Sequence, residues 1–155
     1  MDNMIIMDDL TKVSFTNLEK ILYPVLDLNK SRVIEYYIKI APLMMGSLKN
    51  RIIVMNRYPD GVDKDGFYEK DAPAGIPPWV ETFNTYSETA HREIDYIVCN
   101  NLDTLIWMAN MAALEINITL STIDNYDTPD LVFFDIDPEP PCSFDDVMDL
   151  SLIHI

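Results

Sequence analysis

Apolar and polar positions change their period several times along this chain, and each change marks an element. Val33, Tyr37, Ile40, Ala41 and Met44 recur at helical spacing along one stripe. Asn29 offers the side-chain oxygen that caps such a stretch, so a helix is predicted through Ser31, Arg32, Val33 and Ile34 to about Leu48. Pro42 withdraws an N–H inside it and predicts a kink or a split. Residues 51–57 are rich in β-branched side chains and predict a strand. Residues 58–66, with Gly61 and Gly66, read as a loop, and 67–70 as a short strand. Residues 72–79 carry Pro73, Pro77 and Pro78 and read as an extended linker, followed by a strand over 94–99. Asp103 caps a second predicted helix over 104–116, with Leu105, Met108, Met111, Ala112 and Glu115 on one side. Residues 15–24 read as irregular and rich in turns, 116–121 as a strand, and 125–129 as a turn. Ser143 caps a short helix starting at Phe144. Strands mixed irregularly with helices predict an α+β layer rather than a regular βαβ series.

The run Leu131-Val132-Phe133-Phe134-Asp135-Ile136-Asp137-Pro138 stands apart. Its apolar start predicts a strand over 131–137 that Pro138 stops, since proline cannot donate to a central ladder. Alternation along a strand puts Asp135 and Asp137 on the same side, about 6–7 Å apart. Two carboxylates at the end of a buried strand call for a cation between them, and a divalent metal ion suits them. The plainer reading is a strand that ends in turn-forming acids.

Charge sharpens this picture. The 155 residues carry a net charge of −15, with 48% hydrophobic and 24% charged residues, as an ordinary globular domain does. Residues 1–92 hold 13 acids and 11 bases, whereas residues 93–155 hold 13 acids and no base. That excludes a uniformly basic nucleic-acid coat but leaves room for a local basic grip in the first half. Cys99 and Cys142 are far apart, and His91 and His154 are isolated, which argues against a zinc site and for reduced cysteines. The N-terminus is acidic and has no basic region of a secretory signal, and no run is long enough to span a bilayer. A cytoplasmic protein without a membrane partner is expected.

Several segments, in order, resemble one family. They are Thr16-Asn17-Leu18-Glu19-Lys20-Ile21-Leu22-Tyr23-Pro24, Asn29-Lys30, Glu35-Tyr36-Tyr37 and Arg57-Tyr58-Pro59-Asp60-Gly61-Val62. They continue with Phe67-Tyr68-Glu69-Lys70, Pro78-Trp79-Val80, residues 105–110, Ala113-Leu114-Glu115 and Phe134-Asp135-Ile136-Asp137-Pro138. Together they resemble the polymerase domain of prokaryotic ATP-dependent DNA ligase D, of the archaeo-eukaryotic primase superfamily, over about residues 14–140. The fold so implied is the N-terminal portion of that α+β domain, a mixed sheet flanked by helices. Residues 1–155 would then be an incomplete primase-polymerase domain. Residues 151–155 resemble translated adapter sequence and are expected to be a non-native tail.

The resemblance implies a template-dependent nucleotidyltransferase that fills gaps during non-homologous end joining, acting on nucleoside triphosphates. Asp135 and Asp137 resemble the family's catalytic aspartates, which hold two divalent ions, Mg²⁺ or Mn²⁺, for in-line displacement at phosphorus. Asn17, Lys20 and Lys30 match positions that grip the 5′-phosphate of gapped or broken double-stranded DNA. Phe67 and Tyr68 match an aromatic pair that stacks on the template, and alternation predicts that one of them packs inward. Arg57 matches a position near nucleic acid and nucleotide. Trp79 and Trp107 read as core. Ku and a ligase domain are implied as further partners. The chain departs from the family at Asn56, where a basic residue is usual, and after Leu114-Glu115, where a histidine and a Pro-Gln-Trp-like stretch are usual; the resemblance leaves Asn117 there as the expected contact to the incoming nucleotide or nucleic acid. The family's second motif and third aspartate do not follow Asp137, so this polypeptide alone is expected not to extend primers. Alternatives are a non-catalytic module for 5′-phosphorylated gapped DNA, a stand-alone primase, and an unrelated transferase that uses Asp-x-Asp to hold a nucleotide-sugar diphosphate.

Overall fold

The β-branched run after Arg51 becomes the centre of a sheet. In the computed structural model, which describes residues 12–153, this strand is β3 (Ile52–Arg57). Before it come β1 (Ile21–Tyr23), a 3-10 turn (Pro24–Leu26), β2 (Leu28–Asn29) and helix α1 (Lys30–Leu48). After it come β4 (Phe67–Glu69), β5 (Glu81–Ser87), β6 (Arg92–Val98), α2 (Leu102–Asn110), β7 (Ala113–Ile118), a second 3-10 turn (Ile123–Asn125) and α3 (Phe144–Ile153). The α+β class is the one the patterning predicts.

All pairings of β3 are antiparallel. It meets β7 along Ile53–Arg57, β6 at Ile52 and Ile53, and β4 at Met55–Arg57. A strand has two edges, so β6 and β4 share one of them and β7 takes the other. β5 extends the sheet beyond β6, and β1 and β2 form a separate ribbon. Ile53, Met55 and Ile97 bury one face of the sheet against Ile34, Tyr37 and Ala41 of α1 and Leu105, Ile106 and Met108 of α2. Trp107 is buried there, and Trp79 packs at the margin.

The Asn29 cap forms as expected, its Oδ1 accepting from Arg32 N at 3.2 Å. Helix α1 is one element through Pro42, neither split nor ended there. The loss of a donor is borne on an exposed face, while the buried stripe holds both halves to the core.

The second helix differs from its predicted form. Asn101 caps it, not Asp103, accepting from Thr104 N at 2.9 Å. It ends at Asn110, because Ala112 turns into the left-handed region (φ 58°) and releases the chain into β7. The open edge of β3 captures residues that read as a helical stripe. Residues 131–139 form no strand, against expectation, and lie exposed. Val132, Phe133 and Phe134 are 74%, 73% and 72% exposed, so the faces that a strand would bury stay largely open to solvent. Asp146 accepts from Ser143 N–H and Oγ at 2.7 and 2.9 Å, closing the start of α3. No described helix is long and apolar enough to cross a membrane.

Candidate nucleic-acid interface

Lys20 and Lys30 flank the foot of the β1–β2 ribbon, where Lys30 N–H donates to Lys20 O at 2.8 Å. Asn17 opens the preceding turn with φ 50°, and its carbonyl accepts from Lys20 N at 3.0 Å. Lys30 begins α1, so the ribbon delivers this loop to a helix N-terminus, a favourable place for anions. The Asn17 and Lys20 side chains reach solvent, and Lys20 Nζ pairs with Asp60 Oδ1 at 2.6 Å.

Lys30 is placed differently from a surface phosphate ligand. It is only 6% exposed, and its Nζ donates to Thr16 O and Asn110 O, each at 2.8 Å. An ammonium has three N–H groups, so two are spent on the protein itself. Burial holds the Lys30 pKa below its ordinary value, and the charges of Lys20 and Arg57 push it the same way. Lys30 thus lies within electrostatic reach of Lys20 and Arg57, which are themselves paired with Asp60 and Glu69.

Arg57 closes β3 directly opposite Phe67 of β4. Its Nε donates to Met111 O at 2.9 Å, its Nη1 pairs with Glu69 Oε2 at 2.7 Å, and its guanidinium lies 5.2 Å from the Phe67 ring centre. Phe67 and Tyr68 are 45% and 64% exposed, so neither packs inward as alternation predicts. The reason is that β4 is a three-residue strand at the sheet margin with no layer over either face. Both rings border a groove of about 530 Å³ with Lys70 and Arg92 on its walls.

Two polar centres here escape the sequence reading. Asn110 fastens the N-terminal segment, accepting from Thr16 N at 3.1 Å and donating to Ser14 O at 3.2 Å. A lone asparagine at a helix end carries no sequence signal of that role. The second centre links Asn56, Tyr58 and Glu115. Asn56 Nδ2 donates to Tyr58 Oη (2.9 Å) and Glu115 Oε2 (3.0 Å), and Tyr58 Oη donates to Glu115 Oε1 (2.7 Å). These bonds, that from Asn56 foremost, hold the Glu115 carboxyl below its usual range. Gly66 makes room for the Tyr58 ring, since a Cβ there would lie 2.6 Å from it. The alternation of Leu114, Ile116 and Ile118 with Glu115 and Asn117 is the signal that a strand reading would have used.

Asn117 lies exposed on β7 opposite Val54, with Nδ2 at 3.4 Å from Val54 O. It borders a groove of about 580 Å³ formed with Ile116, Ile118, Leu131, Val132 and Phe133. Just before Leu131 in the chain, Asp130 forms a two-pronged ion pair with Arg51 at 2.8 Å on each arm. The guanidinium holds the Asp130 carboxyl below its ordinary value. Asp135 and Asp137 follow on the exposed irregular stretch. The structure therefore gathers Lys20, Lys30, Arg57 and Phe67 at one end of the sheet. No hydrogen bond, ion pair or shared cavity among the described residues joins Asp135 and Asp137 to them. Nor do the described residues contain a cluster of three or more His, Cys, Asp or Glu side chains suited to a metal ion.

A family model described as the primase-polymerase domain of LigD matches residues 29–154. The bifunctional non-homologous end joining protein LigD of Bacillus subtilis is 32% identical over 137 residues, 88% of this chain and 21% of that protein. The multifunctional non-homologous end joining DNA repair protein LigD of Mycobacterium tuberculosis is 34% identical over 109 residues, 69% of this chain and 14% of that one. Among solved structures, the polymerase domain of Mycobacterium tuberculosis ligase D in complex with DNA superposes with a TM-score of 0.67 at 31% identity. That match covers 71% of this chain and 38% of the solved one. The chain thus spans about a fifth or less of the length of these curated relatives.

Proposed function

Because the chain belongs to the LigD primase-polymerase family, we propose that it is the DNA-end-binding portion of a template-dependent nucleotidyltransferase that fills gaps in broken double-stranded DNA. The gathering of Lys20, Lys30 and Arg57 around the ribbon foot and the start of α1 carries this reading. It is a local cluster of cations, partly offset by Asp60 and Glu69, on a strongly acidic chain, so attraction is short in range and suits a terminal phosphate better than a long duplex. Asn17 adds an amide beside it. Phe67, with Arg57 over its ring, and exposed Tyr68 supply faces on which unpaired template bases stack.

The acidic segment would serve the chemical step. Carboxylate oxygens fit a hard divalent ion such as Mg²⁺ or Mn²⁺, and Asp135 and Asp137 would hold it. Two such ions, when bound, stabilise charge on the attacking and leaving oxygens of phosphoryl transfer. The described residues offer two carboxylates and no third beside them. Exposed Asn117 would offer a nucleoside triphosphate a hydrogen bond but no charge, whereas Asn56 is buried and its amide is spent on Tyr58 and Glu115. The DNA-docking part of the function therefore rests on more of this chain than the catalytic part does. Docking without primer extension is the behaviour expected of these 155 residues.

Fluorescence anisotropy with gapped duplexes tests the reading. A 5′-phosphate at the gap is expected to tighten binding about tenfold, and Lys20→Ala to remove most of that gain. Equal affinity for phosphorylated and unphosphorylated gaps would overturn it.

A further inference from the structure

We propose that Arg51 is a positioning residue for the acidic pair: its grip on Asp130 fixes where the chain that carries Asp135 and Asp137 leaves the sheet. The inference rests on the reading that these two carboxylates hold a divalent cation. Arg51 immediately precedes β3, and its side chain is buried, whereas that of Asp130 is half exposed. Nη1 meets Oδ1 and Nη2 meets Oδ2, each at 2.8 Å, while Nη1 also reaches Thr119 O at 3.3 Å. Two parallel bonds set the plane of the carboxylate as well as its distance, which a lysine cannot do.

The backbone repeats the anchor. Asp130 N and Leu131 N both donate to Leu120 O, at 3.0 and 3.2 Å. Residue 130 is therefore held by side chain and main chain together against the end of β7. Immediately beyond, Leu131, Val132 and Phe133 border the groove beside Ile116 and Ile118 without joining the sheet. A segment without a ladder of its own takes its direction from where it is fastened. Asp135 lies five residues past the clamp, a reach of about 16 Å when extended. The clamp at Asp130 thus sets the point from which both carboxylates are carried. A buried guanidinium without its acid would be costly, so the pair cannot open freely.

The test uses the full chain and Mn²⁺, followed by the free-ion signal in electron paramagnetic resonance. Asp135→Asn combined with Asp137→Asn reports binding elsewhere on this acidic protein. The chain is expected to bind Mn²⁺ more tightly than that double variant. Arg51→Lys and Asp130→Asn are expected to weaken the difference about three- to tenfold while circular dichroism still shows the native fold, Asp130→Asn at a lowered melting temperature, with partial recovery in Asp130→Glu. Wild-type Mn²⁺ affinity in folded Arg51→Lys and Asp130→Asn overturns the proposal. If the parent chain and the double variant bind Mn²⁺ alike, it is the cation reading that fails. The clamp is then judged by chymotrypsin cleavage after Phe133 and Phe134. Faster cleavage in Asp130→Asn sustains it, and an equal rate overturns it.

Discussion

Lys30 shows how one side chain can be required twice. Its ammonium joins Thr16 O, in the N-terminal segment, to Asn110 O, at the end of α2, and it does so from the first turn of α1. These elements are far apart in the chain, so the residue is a structural tie before it is a ligand. Replacing it by methionine keeps much of the volume but leaves two carbonyls without their donor. Lys30→Met is expected to cost about 2–4 kcal/mol in urea unfolding, as loss of charged hydrogen bonds in a buried site does. Lys20 presents the contrast. Its partner Asp60 is solvated, so Lys20→Ala is expected to leave the unfolding midpoint within error while lowering phosphate-dependent DNA binding. If both variants were equally stable, Lys30 would not be the tie described here.

Between elements, Tyr37 joins α1 to β7. Its hydroxyl donates towards Ala113 O and Leu114 O at 3.2 and 3.3 Å, and burial pushes its pKa up to about 12. The folded protein therefore keeps this proton more firmly than the unfolded chain, whose phenol titrates near 10. The stabilisation is complete below pH 10 and is lost as pH rises from 10 towards 12, by up to about 3 kcal/mol. Urea unfolding across that range is expected to show the decline, and Tyr37→Phe to flatten it. Tyr37 was legible in advance because the stripe on α1 and the Asn29 cap are local signals. The end of α2 was not, since Ala112 adopts a left-handed backbone that nothing in its side chain announces. Strand β5 was missed for another reason. Phe83 and Tyr86 lie among Thr and Asn on a strand with largely exposed faces, so its pattern lacks a clear apolar period. At the candidate interface, the family resemblance names Asn17, Lys20, Lys30, Arg57, Phe67 and Tyr68, but only packing shows that Lys30 is buried, that neither ring packs inward and that Glu115 belongs to a strand. The acidic pair is the reverse case. Its apolar lead-in predicts a strand, yet a strand needs a covered face, and Val132, Phe133 and Phe134 stay mostly exposed.

Across the whole molecule, two opposing forces meet at the segment beyond β7. Leu131, Val132, Phe133, Phe134 and Ile136 are all counted among the exposed large hydrophobic residues, beside an edge of β7 that no described strand pairs. Such an edge invites another chain. Yet residues 93–155 carry 13 acids and no base, so two copies that approach through this region bring like charges together. Repulsion between exposed charges is screened beyond about 10 Å at 0.1 M salt and about 3 Å at 1 M, whereas apolar attraction is not weakened by salt. Salt should therefore drive self-association rather than disperse it, the opposite of what a charge-paired dimer would do. Sedimentation velocity is expected to show monomer at low ionic strength and a growing share of larger species above about 0.5 M sodium chloride. Val132→Lys with Phe133→Lys should keep the chain monomeric throughout by removing the attraction. A parent chain that associates at low salt and separates at high salt would mean that its copies meet through charge, not through this strip.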